Sequence, residues 1–201
     1  MSGSISDFRS SFQSELARPS RFDVNIPIPI VLAPYLSIGK RLTFRCENAE
    51  IPGKSLSTAE RKFGSAPVEK MPYHTNYTET NMTFMVSDDM QERIFFEAWM
   101  EAINPTTNYN FRYKSDYAVD IDVNHYDVTN EKNYIVTYRE AFPIAINQMD
   151  LDWSSDGYHK LAVTFAFTEW YNNTSSAIGK SIISQGLSGL SETLMSKIPT
   201  E

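Results

Sequence analysis

Leu161, Val163, Phe165 and Phe167 fall on one face of a strand, and Ala162, Thr164, Ala166 and Thr168 fall on the other. Apolar positions two residues apart mark a strand with one face in a core. The same period runs through Phe22, Val24, Ile26, Ile28 and Ile30. Pro27 and Pro29 cannot donate to a ladder, so the far half of that run lies at an edge or leaves the sheet. Further strands are predicted over "RLTFRCE", "TNMTFMV", "SDYAVDIDVNHYDV", "NYIVTYREAF" and "PIAINQMDLDW". In the last run Ile144 and Ile146 share a phase that Met149, Leu151 and Trp153 do not, and a bulge near Asn147 explains the change. "SSDG" reads as a hairpin turn into the strand that follows. One question stands out: the second face of the Leu161 strand is small and uncharged, whereas a face left in water usually carries Lys and Glu.

The period changes once inside this β pattern. Ile94, Phe95, Ala98, Trp99, Ala102 and Ile103 form one helical face, Asp89 with Glu92 resembles a capping box, and Asn104-Pro105 ends the run. A packed helix is therefore predicted over about residues 89–103. Ile5, Phe8, Phe12 and Leu16 predict a short amphipathic helix at the start of the chain. Residues 47–80 lack a clear period and hold Pro52-Gly53, Gly64, Pro67 and Pro72, so this long connection is functional or contains its own hairpin. After Tyr171 the chain turns Ser- and Gly-rich, with Ile178, Ile182, Leu190, Leu194 and Ile198 at roughly helical spacing. The organisation read from this is an N-terminal helix or arm (1–17), a mainly β domain (18–171) and a C-terminal extension (172–201). The fold class is an antiparallel β-sandwich or barrel with one packed helix.

Charge narrows the functions. The 201 residues carry 18 Lys plus Arg against 25 Asp plus Glu, a net charge of −7. Such a chain gains nothing from counterion release on phosphates, so it is not a nucleic-acid binder by bulk charge, although it can lie near DNA without adhering. The single cysteine, Cys46, excludes an intrachain disulfide and a Cys-rich zinc site. It keeps phase with Leu42 and Phe44, as a small buried residue would. No run is long and apolar enough to span a membrane and the first residues do not resemble a signal peptide, so a cytosolic origin is expected.

The candidate chemistry mostly dissolves on inspection. Asp120, Asp122, Asn124 and Glu131 have the spacing of a calcium loop, but His125 stands where that loop needs Gly, and the flanks alternate like strands. Asp120 and Asp122 then share one strand face, opposite Val119, Ile121 and Val123. His74, His125 and His159 are scattered without metal-ligand spacing, and Asp150 with Asp152 read as acids beside a turn. No nucleophile, phosphate or dinucleotide motif is present, so no catalytic residue, cofactor or metal is assigned. One feature survives: residues 115–131 contain Asp116, Asp120, Asp122, Asp127 and Glu131 without Lys or Arg, either a solvated face or an electronegative wall past which a polyanion could slide.

The order of landmarks adds to this. "ELARPSRFDVNI" is followed by "LTFRCENAEIPG", a helix ending in "FFEAW", then "MDLDWSSDG" and "VTFAFTEWY". This series resembles the tail tube proteins of contractile-tailed bacteriophages, with Arg18, Pro19, Phe22, Asp152, Trp153 and Trp170 at the matching positions. The resemblance covers about residues 15–171. It implies a structural, non-enzymatic virion protein whose sheets join across subunits into hexameric rings, with rings stacking into a hollow tube. It also implies as partners the chain itself, the tape-measure protein, the tail sheath, a baseplate tube initiator, and genomic DNA that passes without specific binding. The expected location is the tail tube of a virion, after synthesis in the host cytoplasm, with no membrane partner. On this reading Asp120 and Asp122 line the pore. The connection 51–73, with Pro52, Gly53, Lys54, Lys62 and Phe63, contacts the next ring. The small face of the Leu161 strand lines the pore or packs under a neighbour. Two alternatives stay open within the class: a tube-initiating baseplate protein and a subunit of a type-six-secretion-like tube. A β-sandwich carbohydrate-binding module, with Tyr109, Tyr113 and Tyr126 as its platform, is the reading from another class.

Overall fold

One long strand holds the β structure together. In the computed structural model, which describes residue 5, residues 17–154 and residues 156–173, β7 (Lys132–Ile146) belongs to two sheets at once. Its first half pairs with β6 (Val119–Tyr126) on one edge and with β9 (Glu169–Asn172) on the other. Its last residues pair with β8 (Lys160–Ala166). Beyond β6 lies β1 (Phe22–Asn25). Beyond β8 come β5 (Thr80–Met85) and then β2 (Cys46–Ala49). All these pairings are antiparallel, in the order β1-β6-β7-β8-β5-β2 with β9 also on β7.

A bulge lets β7 serve both sheets. Val119 faces Ala141 and Ile121 faces Tyr138, so Arg139 and Glu140 oppose the single residue Asp120. Tyr138 and Ala141, three apart, are both buried, and Glu140 takes a left-handed conformation with φ 52°. An extra residue of this kind bends a strand and re-aims its side chains. The register shifts again between Pro143 and Ala145, where Ile144 is the extra residue opposite β8, so the bulge expected near Asn147 sits three residues earlier. Past Ile146 the phase change has another cause: the chain leaves the sheet, Leu151 and Trp153 are exposed, and 147–159 is a long connection instead of a tight hairpin.

The inner faces of the two sheets meet in one core. Val24, Ile121, Val123, Val136 and Tyr138 come from the first, and Met82, Phe84, Leu161, Val163 and Phe165 from the second. Helix α2 (Gln91–Ile103) adds Phe95, Phe96 and Trp99, all fully buried. Phe96 lies 5.1 Å from Phe84 and 6.0 Å from Phe165, and Trp99 donates its Nε1–H to the Tyr117 carbonyl at 3.0 Å. Each such side chain contributes about 1.5–3 kcal/mol by leaving water. Tyr138 donates its hydroxyl to the Glu50 carbonyl at 2.6 Å, and burial pushes that phenol well above its ordinary pKa.

Two local expectations are corrected. "RLTFRCE" is mostly helix: α1 (Gly39–Arg45) follows a 3-10 segment (Ile30–Ile38) and gives way to β2 only at Cys46. Leu42 is buried, but Phe44 is 81% exposed, so period two does not hold there. The reason is electrostatic. Arg41 and Arg45, one helical turn apart, both reach the buried Glu92, at 3.7 and 3.1 Å. Nor does Asp89 hold the N-cap position of α2, although its carboxylate accepts the Gln91 N–H at 3.5 Å. Met90 holds the N-cap position with φ 53°, Asp89 pairs with Arg41 at 3.0 Å, and Glu92 reaches back to the Ser87 N–H at 3.0 Å. Other expectations hold. The strand at Phe22 leaves the sheet before Pro27, and the long connection contains its own hairpin, β3 (Lys54–Arg61) with β4 (Glu69–Tyr77). A short helix α3 (Lys114–Tyr117) leads into β6. The predicted N-terminal helix, apart from Ile5, and the extension after residue 173 lie outside the described residues.

Candidate functional site

The outer face of the first sheet is mostly polar, with Ile135 among its side chains. Asn25, Asp122, Thr137 and Tyr171 stand opposite one another in register and make one row across β1, β6, β7 and β9. The next row holds Asp23, Asn124 and Ile135. Period two alone produces this arrangement, because Val24, Val123 and Val136 occupy the intervening inward positions.

The carboxylates on this face are held in place. Asp122 accepts the Thr137 hydroxyl at 2.7 Å. Asp23 accepts the Asn124 amide at 2.6 Å and the Tyr126 hydroxyl at 2.7 Å, and that hydrogen bond raises the Tyr126 pKa. Asp120 accepts the Glu140 backbone N–H at 2.9 Å. Arg139 is tied to Glu169 at 2.8 Å, so it does not neutralise Asp23 or Asp122. The result is a surface of short, anchored acids. Among the described residues no group of His, Cys, Asp and Glu is arranged to hold a metal ion. Asp120 and Asp122 do lie together on one strand face, as their spacing predicted. Asp23 and its hydrogen-bonded partners were not singled out from the sequence, although "FDVN" places Asp23 and Asn25 opposite Val24.

The outer face of the second sheet carries Ala162 beside Thr83 and Asn48, and Thr164 beside Asn81 and Ala145. The Thr164 hydroxyl bonds Asn81 at 2.8 Å. This is the small face of the Leu161 strand, half-buried and free of charge.

The β3–β4 hairpin projects from the body. Most of its side chains are exposed, including Leu56, Phe63, Met71 and Tyr73, and none belongs to the core. Pro52 is buried at its base, and the Gly53 carbonyl accepts the Trp170 Nε1–H at 3.3 Å. Lys54 lies 5.7 Å over the Tyr77 ring, and Arg61 lies 5.9 Å over Phe63 beside Lys62 near the tip. The remaining sequence-selected residues are dispersed. Arg18 and Pro19 stand at the turn before β1, where the Arg18 carbonyl accepts the His125 Nε2–H at 3.0 Å, and Phe22 begins that strand. Asp152 and Trp153 sit in the connection before β8, where Asp152 accepts the Ser154 N–H at 3.0 Å and hydroxyl at 2.8 Å. That anchoring keeps Asp152 below the usual carboxylate range.

Comparison with known proteins places this architecture. The family described as "Phage tail tube protein" matches residues 17–173. No curated protein matches the chain. Among solved structures, the baseplate of the anti-feeding prophage aligns with TM-score 0.58 at 14% identity, covering 80% of this chain and 97% of that one. The sheath-tube complex of an extracellular contractile injection system, in its extended state, aligns with TM-score 0.58 at 16% identity over 82% and 96%. The sheath/tube terminator of the same system aligns with TM-score 0.57 at 16% identity over 80% and 99%. At these identities the likeness is one of fold.

Proposed function

The chain belongs to the phage tail tube protein family, and from that membership we propose that it is the self-assembling subunit of the inner tube of a contractile tail. Six copies close into a ring and rings stack into a hollow tube. The tube encloses the tape-measure protein during assembly, is wrapped by sheath, starts on a baseplate initiator and later conducts genomic DNA from the virion. The family match over residues 17–173 is the observation that carries this reading, and the likeness to sheath-tube and baseplate structures supports it. Residues 18–171 act as the tube domain, flanked by the two extensions.

The role is passive. β1 and β2 end the strand order and each has a single strand partner, so sheet joining between copies has two edges available. The acidic face with Asp120 and Asp122 serves as pore wall. Its carboxylates are held by hydrogen bonds, so they present negative charge without long side chains sweeping the channel. A wall that bound phosphates would hold DNA through released counterions, and an acidic one does not. The hairpin, with Lys54, Lys62 and Phe63, contacts the next ring.

Negative-stain electron microscopy of the purified full chain tests the reading. Hollow, evenly striated tubes are expected. Isolated rings that never lengthen would favour the tube-initiating role instead, and a monomer at every concentration would overturn both.

A further inference from the structure

We infer that the hairpin tip of one copy docks into a recess at the far end of the next copy, the recess built by the connection between β7 and β8. This rests on the tube reading above and names the surface that receives the hairpin.

The recess has a volume of about 500 Å³ and is lined by Asp150, Leu151, Asp152, Trp153, Tyr158 and His159. Trp153 is fully exposed and Leu151 is 84% exposed at its rim. A tryptophan left wholly in water beside a leucine is a large apolar surface with no use inside the monomer. Close by, Lys160 is paired with Glu47 and lies 5.2 Å over the Tyr158 ring, and among the described residues no ion pair reaches Asp150 or Asp152. A basic side chain flanked by an apolar one suits this combination of acids and aromatic rings.

The hairpin tip has that chemistry. Residues 61–68 include Arg61, Lys62, Phe63, Pro67 and Val68 and contain no carboxylate. Phe63 is exposed, with the Arg61 guanidinium over its ring.

Topology sets the base of the hairpin and the recess at opposite ends of β8. β4 finishes at Tyr77, just before β5 begins, and Thr80 pairs with Phe165 near the end of β8. The recess-forming connection enters β8 at its other end, where Lys160 pairs with Met85. The strand between them is about 20 Å long. Complementary surfaces at opposite ends of one subunit make a head-to-tail contact, which propagates from copy to copy without closing. That is the contact a stack of rings requires.

Charge exchange in the full chain tests the pairing. Arg61→Glu with Lys62→Glu, or Asp150→Lys with Asp152→Lys, should each shorten the tubes roughly tenfold or more while rings persist, because like charges now face across the contact. Combining all four substitutions should restore length. Tubes of normal length from the Asp150/Asp152 variant, or no recovery in the combined one, would overturn the inference. As a second readout independent of tube length, subunits carrying Lys62→Cys are mixed with subunits carrying Trp153→Cys. A disulfide-linked dimer should form in the mixture and in neither alone, and its absence from intact tubes would also overturn it. The tube reading fails separately, if the unaltered chain makes neither rings nor tubes.

Discussion

The Asp120 carboxylate accepts the backbone N–H of Glu140 at 2.9 Å, and Glu140 is the left-handed residue of the β7 bulge. A bulge leaves one N–H without a ladder partner, and here the opposing side chain supplies it. Asp120 is thus a structural acceptor as well as an acid on the proposed pore wall. The two roles separate by substitution. Asp120→Asn keeps an acceptor oxygen and should cost little stability, while Asp120→Ala should cost about 1 kcal/mol. Thermal unfolding of the two variants checks this, and equal loss in both would deny the acceptor role.

Charge reversal on the same face should change how DNA behaves. Tubes with Asp122→Lys should retain duplex DNA at low salt, and raising the salt should release it. Tubes of the unaltered chain should retain none. Filter retention across a salt series measures the effect, and indistinguishable retention would place Asp122 away from the channel.

Glu92 ties helix α1 to helix α2. Burial opposes its ionisation, but the Ser87 hydroxyl at 2.6 Å, the Ser87 N–H and Arg45 outweigh burial and leave its pKa below the usual 4.5. A depressed carboxyl contributes stability above the unfolded value and loses it as pH falls through the folded one. Stability should therefore be full above pH 4.5 and decline below it, and Glu92→Gln should flatten that decline. Glu92→Ala, which also strands the Ser87 N–H, should cost about 3 kcal/mol. Urea unfolding between pH 3 and 7 checks the slope.

Cys46 should react slowly. Burial pushes its thiol up to about 12, while the Asn48 carbonyl stands 3.4 Å from the sulfur. The thiolate reacts, so native labelling near pH 8 should be roughly a thousandfold slower than in the unfolded chain. The sign for stability follows from proton binding. The folded state keeps a proton that the unfolded state releases near pH 9.0, so stability should fall as pH rises above that value. Thiol titration with and without denaturant would settle the rate, and equal rates would show an open site.

Deleting the hairpin should leave the body intact. No residue of 54–77 belongs to the core, so the melting temperature of a chain with 54–77 replaced by a short turn should be close to that of the full chain. Electron microscopy should then show rings without tubes, and tubes of normal length would remove the hairpin from ring stacking.

Strand periodicity was legible where one face meets the core and the other does not. Leu161, Val163 and Phe165 are buried, as their alternation required, and helix α2 buries Phe95 and Trp99. The reading failed where a distant charge decided the conformation. "RLTFRCE" alternates well enough for a strand, yet Arg41 and Arg45 both reach Glu92, some fifty residues away; one helical turn sets them about 6 Å apart, where a strand would spread them about 13 Å along its face. The bulge expected near Asn147 lies three residues earlier, at Ile144, and the one opposite Asp120 was not legible, because the partner strand sets it.

The class could be read from the sequence: an antiparallel β domain with one packed helix, an acidic stretch and a long connection with room for its own hairpin, because periodicity and composition act locally. The tertiary structure alone decided that Asp23 and Asn25 join the rows of Asn124 and Asp122. It also decided that the base of the hairpin and the Trp153 recess lie at opposite ends of β8, because register between distant strands fixes those relations.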